Sequence, residues 1–184
     1  MKKIFLFTLL GFIQLYSQDQ EIDSLNVQKL EEVLVSSIRV NEDIPMAFTN
    51  VSKDQIEERN LGQDLPILLN FLPNVVTTSD AGAGIGYTAI RIRGINAQST
   101  NVTINGIPYN DAESLGTFWV DLPDFSSSVE NLQVQRGIGT SVNGSSAFGA
   151  SINILTDKIS KDPFFESNNT FGSYNTFKNT PRFS

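Results

Sequence analysis

The first strong pattern in the chain is an apolar stripe at helical spacing. Four leucines stand at positions i, i+3, i+4 and i+7 of one segment: Leu65, Leu68, Leu69 and Leu72. Residues at this spacing lie on one face of a helix. Pro66 fits the first turn, where its missing N–H costs nothing, and Pro73 ends the segment. A shorter helix is predicted just upstream, because Ser52 and Gln55 have the spacing of a capping box.

After Pro73 the period of the pattern changes to two, which indicates strands. In Ala89–Gly94 the isoleucines alternate with two arginines, so each pair takes one face of a strand. Asn105-Gly106 is a strong signal for a hairpin turn between two short strands. Further strands are predicted at Asn74–Thr78, Val129–Arg136 and Ser151–Thr156.

These elements predict an α+β fold over residues 44–156. We expect a small mixed-sheet domain with two short helices and long loops. Because the apolar residues of the helix and of the strand each fall on one face at the period of their element, the leucine stripe should pack on the sheet face that carries Ile90 and Ile92. An all-β sandwich in this range, or an exposed stripe, would contradict the prediction.

Residues 1–18 have the layout of a secretory signal peptide. Lys2 and Lys3 precede the apolar run Ile4–Leu15, and Ser17 is a small residue near the expected cut. The run is well short of the roughly 20 apolar residues that a membrane-spanning helix needs. We therefore expect a cleaved signal peptide, followed by a polar, flexible tail over residues 19–43.

Composition argues against most enzymatic chemistry. The chain has no Cys and no His, so it lacks the cysteine nucleophile, the thiolate ligand and the commonest general base. Its formal charge of −7 argues against nucleic acid as a partner, because binding a phosphate backbone needs clustered Lys and Arg. We predict a protein that is not an enzyme and that uses no cofactor or metal.

Three segments have part of the pattern of a known ligand or catalytic site, but each lacks a feature that the site requires. Gly82–Tyr87 lacks the third glycine of a dinucleotide-binding loop and leads into a strand instead of a helix. Gly139–Ser145 has the spacing of a phosphate loop but carries Ser where Lys must stand. A flexible loop does not hold two carboxylates at the separation that a glycosidase needs. This excludes the acids of one long irregular segment: Asp111, Glu113, Asp121 and Asp124.

Several short strings, taken in order, resemble one family, the TonB-dependent outer-membrane receptors. Glu32-Val33-Leu34-Val35-Ser36 is similar to the TonB box, the segment that couples these receptors to TonB. Further strings resemble motifs of the receptor's plug domain: Leu65–Val75, Ile92–Gly94, Thr103–Pro108, Val134–Gly137 and Phe148–Ile154. Phe171–Thr176 resembles the opening of the first barrel hairpin. Each string is weak alone, but their shared order makes the resemblance specific.

The resemblance implies a fold and a location. Such receptors have a barrel of about 22 strands in the outer membrane, with the plug in its lumen. TonB would bind the box by adding a strand and would pull on it to remodel the plug. Residues 157–184 would be a linker and the start of a barrel whose other strands are missing. We expect a fragment that is inactive alone, exported to the periplasm, and part of an outer-membrane receptor when intact.

The resemblance also suggests functional residues. Arg93 and Arg136 are expected close together on one side of the plug, without adequate carboxylate partners in this chain, where acids of the barrel wall would pair with them. Plain solvated arginines are the alternative. Candidates for contact with the transported substrate are Gly82, Gly84, Ile85, Gly86, Tyr87, Phe118 and Trp119. A plain mobile loop, and aromatic rings that cover a small core, are the alternatives for these residues.

The sequence does not identify the substrate. Across the resembled family it is an iron–siderophore, haem, cobalamin or an oligosaccharide. The main alternative class is a secreted soluble module that binds a glycan or a protein partner, since such a module needs no barrel. The lysine pair, the signal that ends in Gln and the Asn-rich style are similar to proteins of Bacteroidetes.

Overall fold

The computed structural model describes residues 39–138, 147–173 and 175–184 of the chain. Two short helices precede most of the strands: α1 Lys53–Glu57 and α2 Leu65–Leu68. The strands are β1 Ala47–Ser52, β2 Val75–Ser79, β3 Thr88–Ile92, β4 Thr100–Ile104, β5 Ile107–Pro108, β6 Val129–Arg136, β7 Ala150–Thr156, β8 Phe165–Phe171 and β9 Phe177–Phe183. The predicted signal peptide and TonB box lie outside the described residues.

Five strands form one mixed sheet in the order β1-β6-β7-β4-β5. β4 and β7 are parallel, and the other neighbours are antiparallel. Asn105 and Gly106 join β4 to β5 with φ angles of 50° and 83°, and two positive φ angles are what a type I′ turn requires. The predicted mixed sheet and its hairpin turn are confirmed.

The leucine stripe is buried in the core, as predicted. Its four side chains belong to one apolar cluster with Ile90 and Ile92, and α2 lies against β2 and β3. These two strands form a separate antiparallel sheet, so Ile90 and Ile92 do not lie on the five-stranded sheet. The helix itself is shorter than predicted, because it ends at Leu68. Beyond it, the Leu69 and Leu72 amides bond carbonyls only three residues back, which is the tighter geometry of a 3₁₀ turn.

The capping box at α1 is also present. The Gln55 amide donates to the Ser52 Oγ, and the Gln55 side chain accepts from the Ser52 amide. These two bonds satisfy backbone donors that a helix start leaves free. Ile56 then reaches the core cluster from the buried side of this short helix.

The five-stranded sheet has two different faces, both buried at its centre. The apolar face carries side chains that belong to the core cluster: Val102, Leu132, Val134, Ala150, Ile152 and Ile154. The polar face carries the alternate residues of the same strands: Asn101, Thr103, Gln133, Gln135, Ser151 and Asn153. Successive side chains of a strand point to opposite faces, so one run of sequence builds both.

β8 and β9 form a separate antiparallel hairpin that pairs from Phe165↔Phe183 to Phe171↔Phe177. The four phenylalanines at these pairs are exposed and share one face. The opposite face carries Lys178 and Arg182, which are largely buried. Across the three described ranges, no helix is both long and apolar enough to span a membrane.

Candidate functional site

Arg93 stands in a tight turn, one position beyond β3. Ile92 and Ile95 exchange two main-chain hydrogen bonds of 3.0 and 3.3 Å across it. The two residues between them, Arg93 and Gly94, have φ angles of 54° and 78°. A two-residue turn of this kind needs positive φ at both positions, which glycine accepts without strain. The turn therefore fixes the backbone of Arg93 and leaves its side chain exposed.

Arg136 is the last residue of β6 and is followed by Gly137, which makes the second arginine–glycine pair of the chain. Its Nη2 donates to the Phe48 carbonyl at 3.2 Å, and its Nη1 is buried without a hydrogen-bond partner. Gly137 follows with φ of +117°, a conformation that is open mainly to glycine. The Arg136 guanidinium is thus held against β1 by its Nη2, while its Nη1 has no acceptor.

The two arginines lie close together, as expected from the family resemblance. A Cβ placed on Gly137 would lie only 3.2 Å from Nη1 of Arg93. Burial, and then the positive charge of Arg93, lower the pKa of Arg136 below its usual range. Within the described ranges, neither guanidinium forms an ion pair with Asp or Glu. The result is a concentration of positive charge at this edge, which we name the arginine corner.

The loop between β2 and β3, residues 80–87, is an ordered connection. The Asp64 amide donates to the Gly84 carbonyl at 2.8 Å, and Gly84 N donates to Ser79 Oγ at 3.0 Å. Gly84 is buried there, and a Cβ on it would press against Gln63 and Ile67. The exposed large hydrophobic side chains of the loop are Ile85 and Tyr87. Of the residues predicted to contact a substrate here, these two therefore offer a large side chain at the surface.

The predicted aromatic pair divides between core and surface. Trp119 is 3% exposed and belongs to the apolar cluster, so its ring covers the core and does not meet solvent. Phe118 is 46% exposed and keeps its side chain at the surface. Trp119 therefore has the core role that the sequence analysis gave as the alternative. Of the two aromatic residues, only Phe118 is placed where it could contact a substrate.

Two acids of the acid-rich segment form hydrogen bonds and ion pairs within the fold. Asp111 accepts the Ser114 amide at 2.6 Å and the Glu113 amide at 3.2 Å, and these bonds, the Ser114 bond foremost, lower the pKa of Asp111. Among the described residues, no group of acids has a geometry that could hold a metal ion.

Asp124 binds the hairpin through Lys178. Their charged groups are 2.5 Å apart, and Lys178 Nζ also donates to Asn60 Oδ1 and Ser127 Oγ at 3.2 and 3.1 Å. Thr180, two residues along β9, donates its hydroxyl to the other Asp124 oxygen at 2.9 Å. Burial raises the pKa of Asp124, but bonds from Lys178, Ser127 and Thr180 outweigh it and hold the pKa below its usual range.

Asp157 makes the second charged link to the hairpin. It pairs with Arg182, and on its other side Lys53 Nζ lies 2.8 Å from Oδ1. Arg182 also reaches Glu166 at 3.6 Å. We name the contacts of Lys178, Thr180 and Arg182 with Asp124 and Asp157 the hairpin contact. It joins β9 to the domain through polar groups.

Comparison with known proteins identifies the domain. The family model for the TonB-dependent Receptor Plug Domain matches residues 40–151. The chain is 29% identical over 150 residues to the vitamin B12 transporter BtuB of Vibrio vulnificus, covering 80% of this chain and 24% of that protein. It is 25% identical over 192 residues to the ferrienterobactin receptor of Escherichia coli, covering 98% of this chain and 25% of the receptor.

A solved structure shares the fold. The ferric yersiniabactin uptake receptor FyuA from Yersinia pestis aligns with a TM-score of 0.54 at 18% identity, over 73% of this chain and 20% of that one. This chain spans about a quarter of the length of the curated relatives described above. The match to the family model covers more than half of the chain, and the chain therefore belongs to the TonB-dependent receptor plug domain family.

Proposed function

We propose that this chain is the plug-bearing part of an outer-membrane receptor that imports a scarce nutrient with energy delivered by TonB. Membership of the plug family supports the class. The observation that carries the proposal is the arginine corner, where two neighbouring guanidinium groups meet no carboxylate among the described residues. A surface of this kind suits an acidic partner outside the domain.

The energetics of the arginine corner favour such a partner. Like charges in contact destabilise each other, and a buried N–H without an acceptor carries a desolvation cost of about 1–3 kcal/mol. Arg136 meets both conditions, since its Nη1 is buried and unpaired and Arg93 stands next to it. Carboxylates of the barrel wall would remove both costs, because guanidinium and carboxylate bind in a bidentate geometry. Arg93 and Arg136 would thus dock the plug in the barrel.

The docking role is tested in the intact receptor by Arg93→Ala. We expect a lower force for dislodging the plug, measured by single-molecule pulling from the N-terminal side. Arg91→Ala is the matched control, because Arg91 is an exposed arginine of β3 two residues before Arg93, and the charge that acts on the pKa of Arg136 is that of Arg93. Equal forces for the Arg93 variant and the wild type would contradict docking by Arg93.

Glu32–Ser36 is the segment proposed to bind TonB and so couple the receptor to its energy source. Val33, Leu34 and Val35 favour an extended chain, which could add a strand to TonB through main-chain hydrogen bonds. Proline removes a backbone donor and does not fit a central ladder. Leu34→Pro should therefore abolish energised uptake and spare substrate binding, while Leu34→Ala should retain both. Normal uptake by the proline variant would discard the coupling role, and loss of binding as well would favour a plain strand of the plug.

The substrate is proposed as a siderophore-bound iron, haem, cobalamin or an oligosaccharide, and the names of two relatives, a vitamin B12 transporter and a ferrienterobactin receptor, support the first and third of these. Its contacts on the plug would be the exposed side chains Ile85, Tyr87 and Phe118. Tyr87→Ala in the intact receptor should weaken substrate binding and leave plug stability unchanged. Wild-type affinity in the Tyr87 variant and in Phe118→Ala would remove both from the binding site.

A further inference from the structure

The main chain at Val40 is bound by a side chain of the polar face. The Val40 N–H donates to Gln133 Oε1 at 2.8 Å, and Gln133 Nε2 donates to the Val40 carbonyl at 2.9 Å. Both residues are almost fully buried. The Gln133 amide therefore binds one residue's N–H and C=O together, as a neighbouring strand would, although Val40 lies outside every sheet.

The Gln133 amide has no freedom to turn away from Val40. Its second N–H donates to Asn50 Oδ1 at 2.8 Å, and its oxygen also accepts from Gln135 Nε2 at 2.9 Å. A primary amide has two donors and two acceptor positions, and all four are used here. A fully satisfied network of this kind is rigid, so Gln133 is pre-oriented for Val40.

Arg39 adds a second attachment beside Val40. Its Nη2 donates to the Asn153 carbonyl at 3.1 Å and to the Asn131 carbonyl at 3.5 Å. Within the described ranges, Arg39 forms no ion pair with Asp or Glu. Residues 39–40 are thus attached to β6 and β7 through hydrogen bonds to polar groups.

The chain leaves the sheet between this attachment and β1. Residues 41–46 are mostly exposed, and the β1–β6 ladder begins only at the Ala47↔Arg136 pair. A pull on the chain before Arg39 therefore meets two fixed points in sequence. The first is the attachment of Arg39 and Val40, and the second is the six-residue ladder of β1.

We propose that Gln133, with Arg39 and Val40, forms a releasable clamp that holds the segment before β1 on the plug and is the first part to give way when that segment is pulled. The proposal rests on the coupling function proposed above. The clamp suits this role because its bonds go to polar groups, which water can take over when the segment lifts off. The ladder of β1 has more bonds and shares its strand with the apolar core through Val51.

The clamp is tested first by hydrogen exchange in the full chain. In Gln133→Met, which keeps the length of the side chain and removes its hydrogen bonds, the Val40 amide should exchange at least tenfold faster. Amides of β6 and β7 should keep their protection, which shows that the domain is folded. Gln98→Met is the matched control, since Gln98 is an exposed glutamine in the turn before β4 and is not one of the clamp residues. Unchanged Val40 exchange in the folded Gln133 variant would overturn the proposal.

A second variant leaves the sheet untouched. Val40→Pro removes the N–H that Gln133 accepts and changes no residue of β6. Single-molecule pulling from the N-terminal side should show an early release of about 25 Å, the reach of residues 39–46 at roughly 3.3 Å each, and Val40→Pro should lower its force. An early release with wild-type force would overturn the clamp. Both measurements omit TonB and substrate, so they are independent of the uptake result for Leu34→Pro.

Discussion

The apolar face of the five-stranded sheet and the hairpin contact are built from strands with the same alternation, yet they differ in chemistry. On the apolar face, Leu132 and Ile152 are fully buried among other apolar side chains. In the hairpin contact, Lys178 and Arg182 face Asp124 and Asp157. Opening the first would expose apolar surface to water, whereas opening the second would expose groups that water solvates well. We therefore expect that the hairpin can separate from the domain without unfolding of the apolar core.

The two kinds of contact also differ in strength. Burying apolar surface stabilises a fold by about 25 cal/mol per Å², so one large side chain contributes a few kcal/mol. Largely buried ion pairs add little net stability, because the cost of removing both charges from water offsets most of their attraction. The charged groups of the hairpin contact keep 15–31% of their side-chain surface exposed. We therefore expect the apolar core to contribute most of the free energy of unfolding. The hairpin contact should mainly fix the position of the hairpin on the domain.

The largest effect is expected from a cavity in the core. Ile152→Ala removes a fully buried side chain, which should lower the free energy of unfolding by about 2–5 kcal/mol. Ile107→Ala is the control, because Ile107 is 69% exposed and such surface changes stay within about 0.5 kcal/mol. Urea denaturation of the two variants measures the difference. Similar losses at the two positions would refute an apolar core centred on this sheet.

A smaller loss is expected where the core meets the arginine corner. At Gly149 an added Cβ would lie 2.4 Å from Cγ2 of Ile95, which follows the Arg93–Gly94 turn. Gly149→Ala should cost about 1–3 kcal/mol, the usual penalty for overpacking. Gly116→Ala serves as the control, since its Cβ would meet only Ser114 Oγ at 3.6 Å. Thermal unfolding with no difference between the two variants would mean that Ile95 moves aside freely.

The smallest effect concerns acid and the hairpin contact. The pKa of Asp124 is lowered in the folded chain from the ordinary value of 3.8, so its carboxylate stabilises the fold above that pH. The contribution is lost as pH falls through the folded pKa. NMR of the β9 amides should show the hairpin loosening in this acidic range, before the amides of β6 and β7 change. In Asp124→Asn this acid step should be absent, and its persistence would assign the step to another group.

The sequence predicts those elements whose signal is local. The leucine stripe, the capping box at Ser52 and the Asn105-Gly106 turn each depend on residues within one or two helical turns of each other, and each is present. β1 was not predicted, because Ala47–Ser52 has little apolar alternation and is held mainly by its pairing with β6. That pairing joins residues far apart in the chain, and so does the parallel pair of β4 and β7.

The candidate site was predicted in part, and from the family resemblance instead of a local pattern. Each of the two arginines precedes a glycine, and both glycines, Gly94 and Gly137, have positive φ. The closeness of Arg93 and Arg136 agrees with the expectation from the family resemblance. Spacing alone could not separate Trp119, which is buried, from Phe118, which is exposed. The clamp at Gln133 was missed, because no local pattern indicates that a glutamine in β6 binds the main chain of Val40.

The central claim is that the apolar core stays folded when the hairpin is released. Hydrogen exchange of the full chain carrying Asp124→Asn and Asp157→Asn tests it most directly, since these changes remove both charged links of the hairpin contact. We predict that the amides of β8 and β9 lose protection while those of β6 and β7 keep their wild-type rates. Loss of protection in all four strands together would contradict the claim and show that hairpin and core unfold as one unit.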